Sequence, residues 1–157
     1  MAATNNPMEK SYSHGSPTLV SQKTYHIAGI LCTVHGLSEI PSEVKDIACL
    51  WLLHPRLQKQ ECMAPVAASI INAWNAKLQL PQTPRRGLIA VSFDQRNHGT
   101  RLVHRKANDA WKQGNETHAQ DMFSIYRRSY DVPPQVPLPE FLTEMGRKMA
   151  LPRIHPF

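Results

Sequence analysis

The run Ile47-Ala48-Cys49-Leu50-Trp51-Leu52-Leu53-His54, answered further on by Leu88-Ile89-Ala90-Val91-Ser92-Phe93-Asp94, decides the fold. Each run is apolar over the length of one strand, as expected for a parallel sheet covered on both faces. Between them, Met63, Val66, Ala67, Ile70, Ile71, Trp74 and Leu78 recur at intervals near three and four from Cys62 onward. That spacing predicts an amphipathic helix, with Pro65 tolerated in its first turn and Pro81 and Pro84 ending it. Strand, helix and strand make a βαβ unit with a right-handed crossover, so the chain is expected to be α/β.

Working outward, Lys23 to Val34 is rich in β-branched and aromatic residues and stops at Gly36, which predicts one antiparallel edge strand. Leu37 to Lys45 reads as a connection. On the other side, Asp94-Gln95-Arg96-Asn97-His98-Gly99 follows the second buried strand as a turn. A further helix is expected to start near Thr117, its hydroxyl capping the first turn ahead of Gln120.

The 157 residues, 41% hydrophobic, suffice for one modest core and not for two. No apolar run approaches the roughly 20 residues that cross a bilayer, and the polar N-terminus lacks the pattern of a secretory signal, so no membrane partner is expected. Cys32, Cys49 and Cys62 are odd in number and widely spaced, which argues against a disulfide framework or a zinc site and for a reducing, cytoplasmic setting. The net charge of +6 comes mainly from the second half, including Arg85, Arg86, Arg96, Arg101, Arg105, Lys106 and Lys112. A solvated loop region explains these charges without a nucleic-acid partner, because no aromatic platform or binding motif accompanies them.

The order of these elements carries a resemblance. Leu52-Leu53-His54 after one buried strand and Asp-x-Arg-x-His-Gly after the next is similar to the opening of an α/β-hydrolase. The closest likeness is to a group of uncharacterised fungal α/β-hydrolase-like proteins. Its words here are Trp51-Leu52-Leu53-His54-Pro55-Arg56, Glu61-Cys62-Met63-Ala64-Pro65 and His118-Ala119-Gln120-Asp121-Met122-Phe123. The likeness spans Lys23 to Tyr126 and implies an incomplete α/β-hydrolase-type sheet with its first two helices. On this reading residues 1–22 form a disordered N-terminal segment, 23–126 the hydrolase-like portion, and 127–157 a disordered, Pro-rich tail.

In such a fold the loop after the first buried strand supplies a backbone N–H to the oxyanion hole. Pro55 stands at the usual glycine and has no N–H, which leaves Arg56 and Leu57 as the candidates. His54, Asp94, Arg96, His98 and Gly99 are expected to hold the loop geometry beside them. A catalytic His98 is not expected, since the catalytic histidine of this fold follows the nucleophile in the chain, and His98 and His104 lack a third ligand for a metal.

No Gly-x-Ser-x-Gly occurs anywhere, so no nucleophile, acid and base are in place and no catalytic residue is assigned. No metal or cofactor is expected either. From Arg127 the composition breaks, with Pro133, Pro134, Pro137, Pro139, Pro152 and Pro156, as a truncated or frame-shifted coding region would produce. Val132 to Pro137 could be a polyproline II ligand for an aromatic groove, and Glu140 to Ala150 could form a short helix. A sheet stopped before its central strand would leave an apolar edge inviting self-association.

Three readings follow. The first is the N-terminal part of a serine hydrolase, esterase- or peptidase-like, inactive as it stands and able to meet a small ester or amide only in a complete form. The second is a non-catalytic binding or regulatory domain. The third is a basic nucleic-acid-binding module.

Overall fold

In the computed structural model residues 17–27, 29–44, 46–79 and 86–130 are described, together with 143, 146, 147 and 153–156. The two apolar runs form β3 (Asp46–Leu52) and β4 (Arg86–Phe93), which pair in parallel from Asp46↔Arg86 to Leu52↔Ser92. Helix α1 (Ala64–Leu78) connects them, preceded by a 3-10 turn over Gln60–Met63. The chain is thus a mixed α/β fold, as the periodicities require.

One expectation needs correction. Lys23 to Val34 is not one strand but a hairpin, with β1 (Gln22–Ile27) antiparallel to β2 (Ile30–His35). The turn between Ile27 and Ile30 contains Gly29 at φ 77, a conformation that an L side chain resists and a tight hairpin needs. Strand β2 then pairs antiparallel with β4, giving the order β1-β2-β4-β3-β5.

Strand β5 (Arg153–Pro156) comes from the Pro-rich tail and runs parallel to β3, from Asp46↔Arg153 to Cys49↔Pro156. The edge expected to be open is therefore paired along Asp46–Cys49. Helix α2 (His118–Tyr130) likewise continues through Arg127 without a break. Thr143, Gly146 and Arg147 are helical, while the proposed polyproline stretch lies outside the described residues. So do residues 1–16 of the N-terminal segment; Val20 in its remainder is buried, and Asn72 donates to the Thr18 carbonyl at 2.7 Å.

Alternation along the strands separates two apolar layers. Ile47, Cys49, Ile89, Val91 and Phe93 share one face with Ile27, Ile30, Cys32 and Val34 of the hairpin. Ala48, Leu52, Leu88 and Ala90 share the other with Ala67, Ala68 and Ile71 of α1. The helix faces the sheet one position away from the expected stripe: Ala68 is buried and Ile70 is 37% exposed. Close approach explains this. Gly36, at φ +88, would bring a Cβ to 2.7 Å from Ile71 Cδ1, so the absence of a side chain there admits Ile71.

Burial pushes the Cys32 and Cys49 thiols up to about 12, so both behave as small apolar groups. His35 is the unusual core residue. Its Nε2 lies 3.0 Å from Ser92 Oγ, and its Nδ1 has no partner among the described residues.

Burial holds His35 below the ordinary value of 6.5. The unfolded chain therefore takes up this proton first, and the stability that neutral His35 contributes is complete above 6.5 and lost as the pH falls through its lower folded value. Urea midpoints measured from neutral to mildly acidic pH are expected to fall in the wild type and to fall less in His35→Gln. Truncation of the helix anchor, Ile71→Ala, is expected to cost about 2–5 kcal/mol in the same measurement.

Candidate functional site

Because β3 and β4 are parallel neighbours, the loops leaving Leu52 and Phe93 emerge side by side at the carboxyl end of the sheet, where open α/β sheets bind ligands. All seven residues singled out from the sequence lie on these two loops. Asp94 is at the centre, 1% exposed. Its Oδ1 accepts the Gln60 amide at 2.9 Å, and its Oδ2 accepts the Thr100 amide at 2.7 Å and the Thr100 hydroxyl at 2.9 Å.

Gln60 and Thr100 each belong to a 3-10 turn, Gln60–Met63 and Gly99–Arg101, so one carboxylate receives an otherwise unpaired amide from the start of both. Burial alone would raise the Asp94 carboxyl. The amides of Thr100 and Gln60 and the Thr100 hydroxyl oppose it, and the net position is below the ordinary value. Arg101, itself lowered by burial, donates from Nη1 to the Asp94 carbonyl at 3.1 Å.

Gly99 is needed for this arrangement. At φ +47, any Cβ there would fall on the Asp94 carboxylate. His54 and His98 are both buried, with ring centroids 5.2 Å apart. His54 Nε2 accepts the Gln95 amide at 3.0 Å, while Nε2 of His98 accepts the Leu57 amide at 3.2 Å. Each imidazole thus bridges to the opposite loop. Arg96 contributes its carbonyl, which accepts from His98 Nδ1 at 3.0 Å, while its side chain is exposed.

The two oxyanion candidates differ. Pro55 to Gln58 forms a turn closed by a 3.1 Å bond from the Gln58 amide to the Pro55 carbonyl, with Leu57 at φ 65. The Leu57 amide is already committed to His98. The Arg56 amide makes no hydrogen bond to another described residue, and the Arg56 guanidinium is drawn off to the Asn108 carbonyl at 2.7 Å.

Asn97, not singled out from the sequence, organises the second loop. Its Oδ1 accepts the Val103 and His104 amides at 3.0 and 2.7 Å, its Nδ2 donates to the His104 carbonyl at 2.7 Å, and its own carbonyl accepts from Asn108. The residue type was the signal: Asn97 adopts φ 61, a conformation asparagine tolerates. Thr100 and Gln60 carried no such signal, since their role depends on distance through space.

Helix α2 begins next to Thr117 as expected, but the Thr117 hydroxyl meets Asp121 Oδ2 at 2.9 Å rather than capping ahead of Gln120. A cleft of about 220 Å³ separates this helix from the loop, lined by Arg96, Asn97, Val103, His104, Asp121 and Ser124. Among the described residues no group of three or more His, Cys, Asp or Glu could hold a metal ion, and no helix is long and apolar enough to cross a membrane.

Asp94→Asn would set an amide N–H against the N–H of Gln60 or Thr100, and is expected to cost about 2–4 kcal/mol at neutral pH. Because the folded carboxyl lies below 3.8, its contribution is complete above that value and lost as the pH falls through the lower folded one. Denaturant titrations above and below 3.8 are expected to show the gap between wild type and variant narrowing in acid. Gly99→Ala, whose Cβ would displace the same carboxylate, is expected to destabilise by a similar amount, about 2–4 kcal/mol, in the same titrations.

No family model and no curated protein matches the chain. A solved structure, the crystal structure of TT1662 from Thermus thermophilus, is similar at 13% sequence identity and a TM-score of 0.41. The likeness covers 88% of this chain and 46% of that one, so the chain spans about half the length of the structure it matches.

Proposed function

We propose that this chain is the N-terminal portion of an α/β-hydrolase fold, contributing the oxyanion side of a serine-hydrolase site and no nucleophile. The observation that carries this reading is the meeting of the two loops. Parallel pairing of β3 and β4 brings His54–Leu57 against Asp94–Gly99, and in the turn after Pro55 the Leu57 amide is taken by His98 while that of Arg56 makes no hydrogen bond to another described residue. A backbone N–H held by a rigid turn suits the negative oxygen that develops on an ester or amide carbonyl. Tetrahedral charge stabilisation without an attacking group gives little turnover.

The serines beside this region do not supply that group. Ser92 is fully buried against His35, and Ser124 Oγ donates to the Asp121 carbonyl at 2.9 Å. In a complete form the substrate class is a small ester or amide. The free thiols of Cys32, Cys49 and Cys62 suit a reducing, cytoplasmic setting. Self-association is proposed at the β5 edge of the sheet, because among the described residues the pairing of β3 with β5 reaches only Cys49.

A binding role is the second reading. It is favoured by Val103 and Trp111, 92% and 63% exposed, beside Arg105, Lys106 and Lys112. Were that surface a nucleic-acid site, its affinity would fall steeply with salt.

Incubation of the purified chain with a fluorophosphonate probe and with p-nitrophenyl acetate is expected to give neither a labelled serine nor turnover above buffer. A stoichiometrically labelled serine would overturn the assignment of the chain as lacking a nucleophile.

A further inference from the structure

We infer that His54 and His98 form a reciprocal clamp in which both imidazoles are neutral Nδ1–H tautomers, and that His98 is the positioning residue that makes Arg56 the anion-binding amide. The positioning role rests on the oxyanion reading above; the clamp itself does not.

The tautomers follow from the partners. His54 Nδ1 lies 2.9 Å from the Pro55 carbonyl and His98 Nδ1 lies 3.0 Å from the Arg96 carbonyl. A carbonyl oxygen only accepts, so each Nδ1 carries the proton. The opposite nitrogens face donors, the Gln95 amide for His54 and the Leu57 amide for His98. Each Nε2 must therefore offer a lone pair. Each histidine is anchored by Nδ1–H to a carbonyl of its own loop, and each reaches the other loop through Nε2. The opposite tautomer, or a doubly protonated ring, would set N–H against N–H in both places.

The same geometry removes an alternative role for Asp94. His54 Nε2 and Asp94 Oδ1 are 3.8 Å apart, beyond hydrogen-bond distance. The Nε2 lone pair is engaged by Gln95, and Oδ1 is engaged by Gln60. Asp94 and His54 therefore share no proton and do not form a catalytic pair.

For the site, the consequence is a choice of donor. A left-handed conformation is costly for leucine, and Leu57 adopts one at φ 65 with its amide directed to His98. The clamp consumes the Leu57 N–H and leaves that of Arg56, one residue earlier in the same turn.

Long-range proton–nitrogen NMR on the uniformly nitrogen-15-labelled full chain reads the rings directly. At neutral pH both are expected to show a protonated Nδ1 and an unprotonated Nε2; an Nε2–H or doubly protonated ring at either position would overturn the clamp. Hydrogen exchange reads the positioning: His98→Leu is expected to speed exchange of the Leu57 amide by about tenfold or more, and His98→Asn, which keeps an acceptor, to restore part of the protection. Unchanged Leu57 exchange in His98→Leu refutes the positioning role.

Acetate added to wild type is expected to shift the Arg56 amide, and the shift is expected to be lost in His98→Leu. Its absence in wild type overturns the oxyanion reading and the positioning role together, while the ring nitrogens still decide the clamp.

Discussion

The buried carboxylate of Asp94 is the interaction on which the carboxyl end of the sheet depends. It takes one amide from each of two short helical turns, one following each strand of the parallel pair, and a hydroxyl besides. An isolated buried carboxylate would be severely penalised, and here every donor that offsets the penalty comes from the loops whose relative position matters. The Gly99 backbone fits over the same group with no room for a side chain. The carboxylate acts as a spacer and tie between the loops, and nothing in its surroundings requires it to exchange protons.

Around that tie the polar groups are satisfied almost entirely from within. His54 and His98 exchange amides across the loops, Asn97 and Asn108 bind the second loop to itself, and Arg56 closes onto Asn108. Such a network is rigid because each member's loss would strand a partner in a poorly solvated place. Its residue types, His, Asp, Arg and Asn, are those of active sites. Their hydrogen bonds are made to one another and to the backbone of the two loops.

Comparison of residues with geometry separates what could be read in advance. The two buried strands and the helix between them were legible because apolar periods of two and of three to four record burial locally. The turn after β4 was legible as a break in the apolar run at Asp94. The hairpin at Gly29 was missed because both its strands share one β-prone composition, and the tight turn between Ile27 and Ile30 leaves little room for a break in it. The helix face was displaced because two alanines and Gly36 favoured close approach over burial of the larger Ile70.

Sequence alone thus determined the α/β class, the parallel order of β3 and β4, and the side of the sheet where the polar loops gather, since each depends on patterns within a few residues of one another. Tertiary structure alone decided that Arg153–Pro156 joins the edge of β3, that Gln60 and Thr100 share the carboxylate of Asp94, and that the Leu57 amide belongs to His98. Apart from the Thr100 contact, six residues along the same loop, these are pairings between residues far apart in the chain, set by geometry that no local propensity encodes.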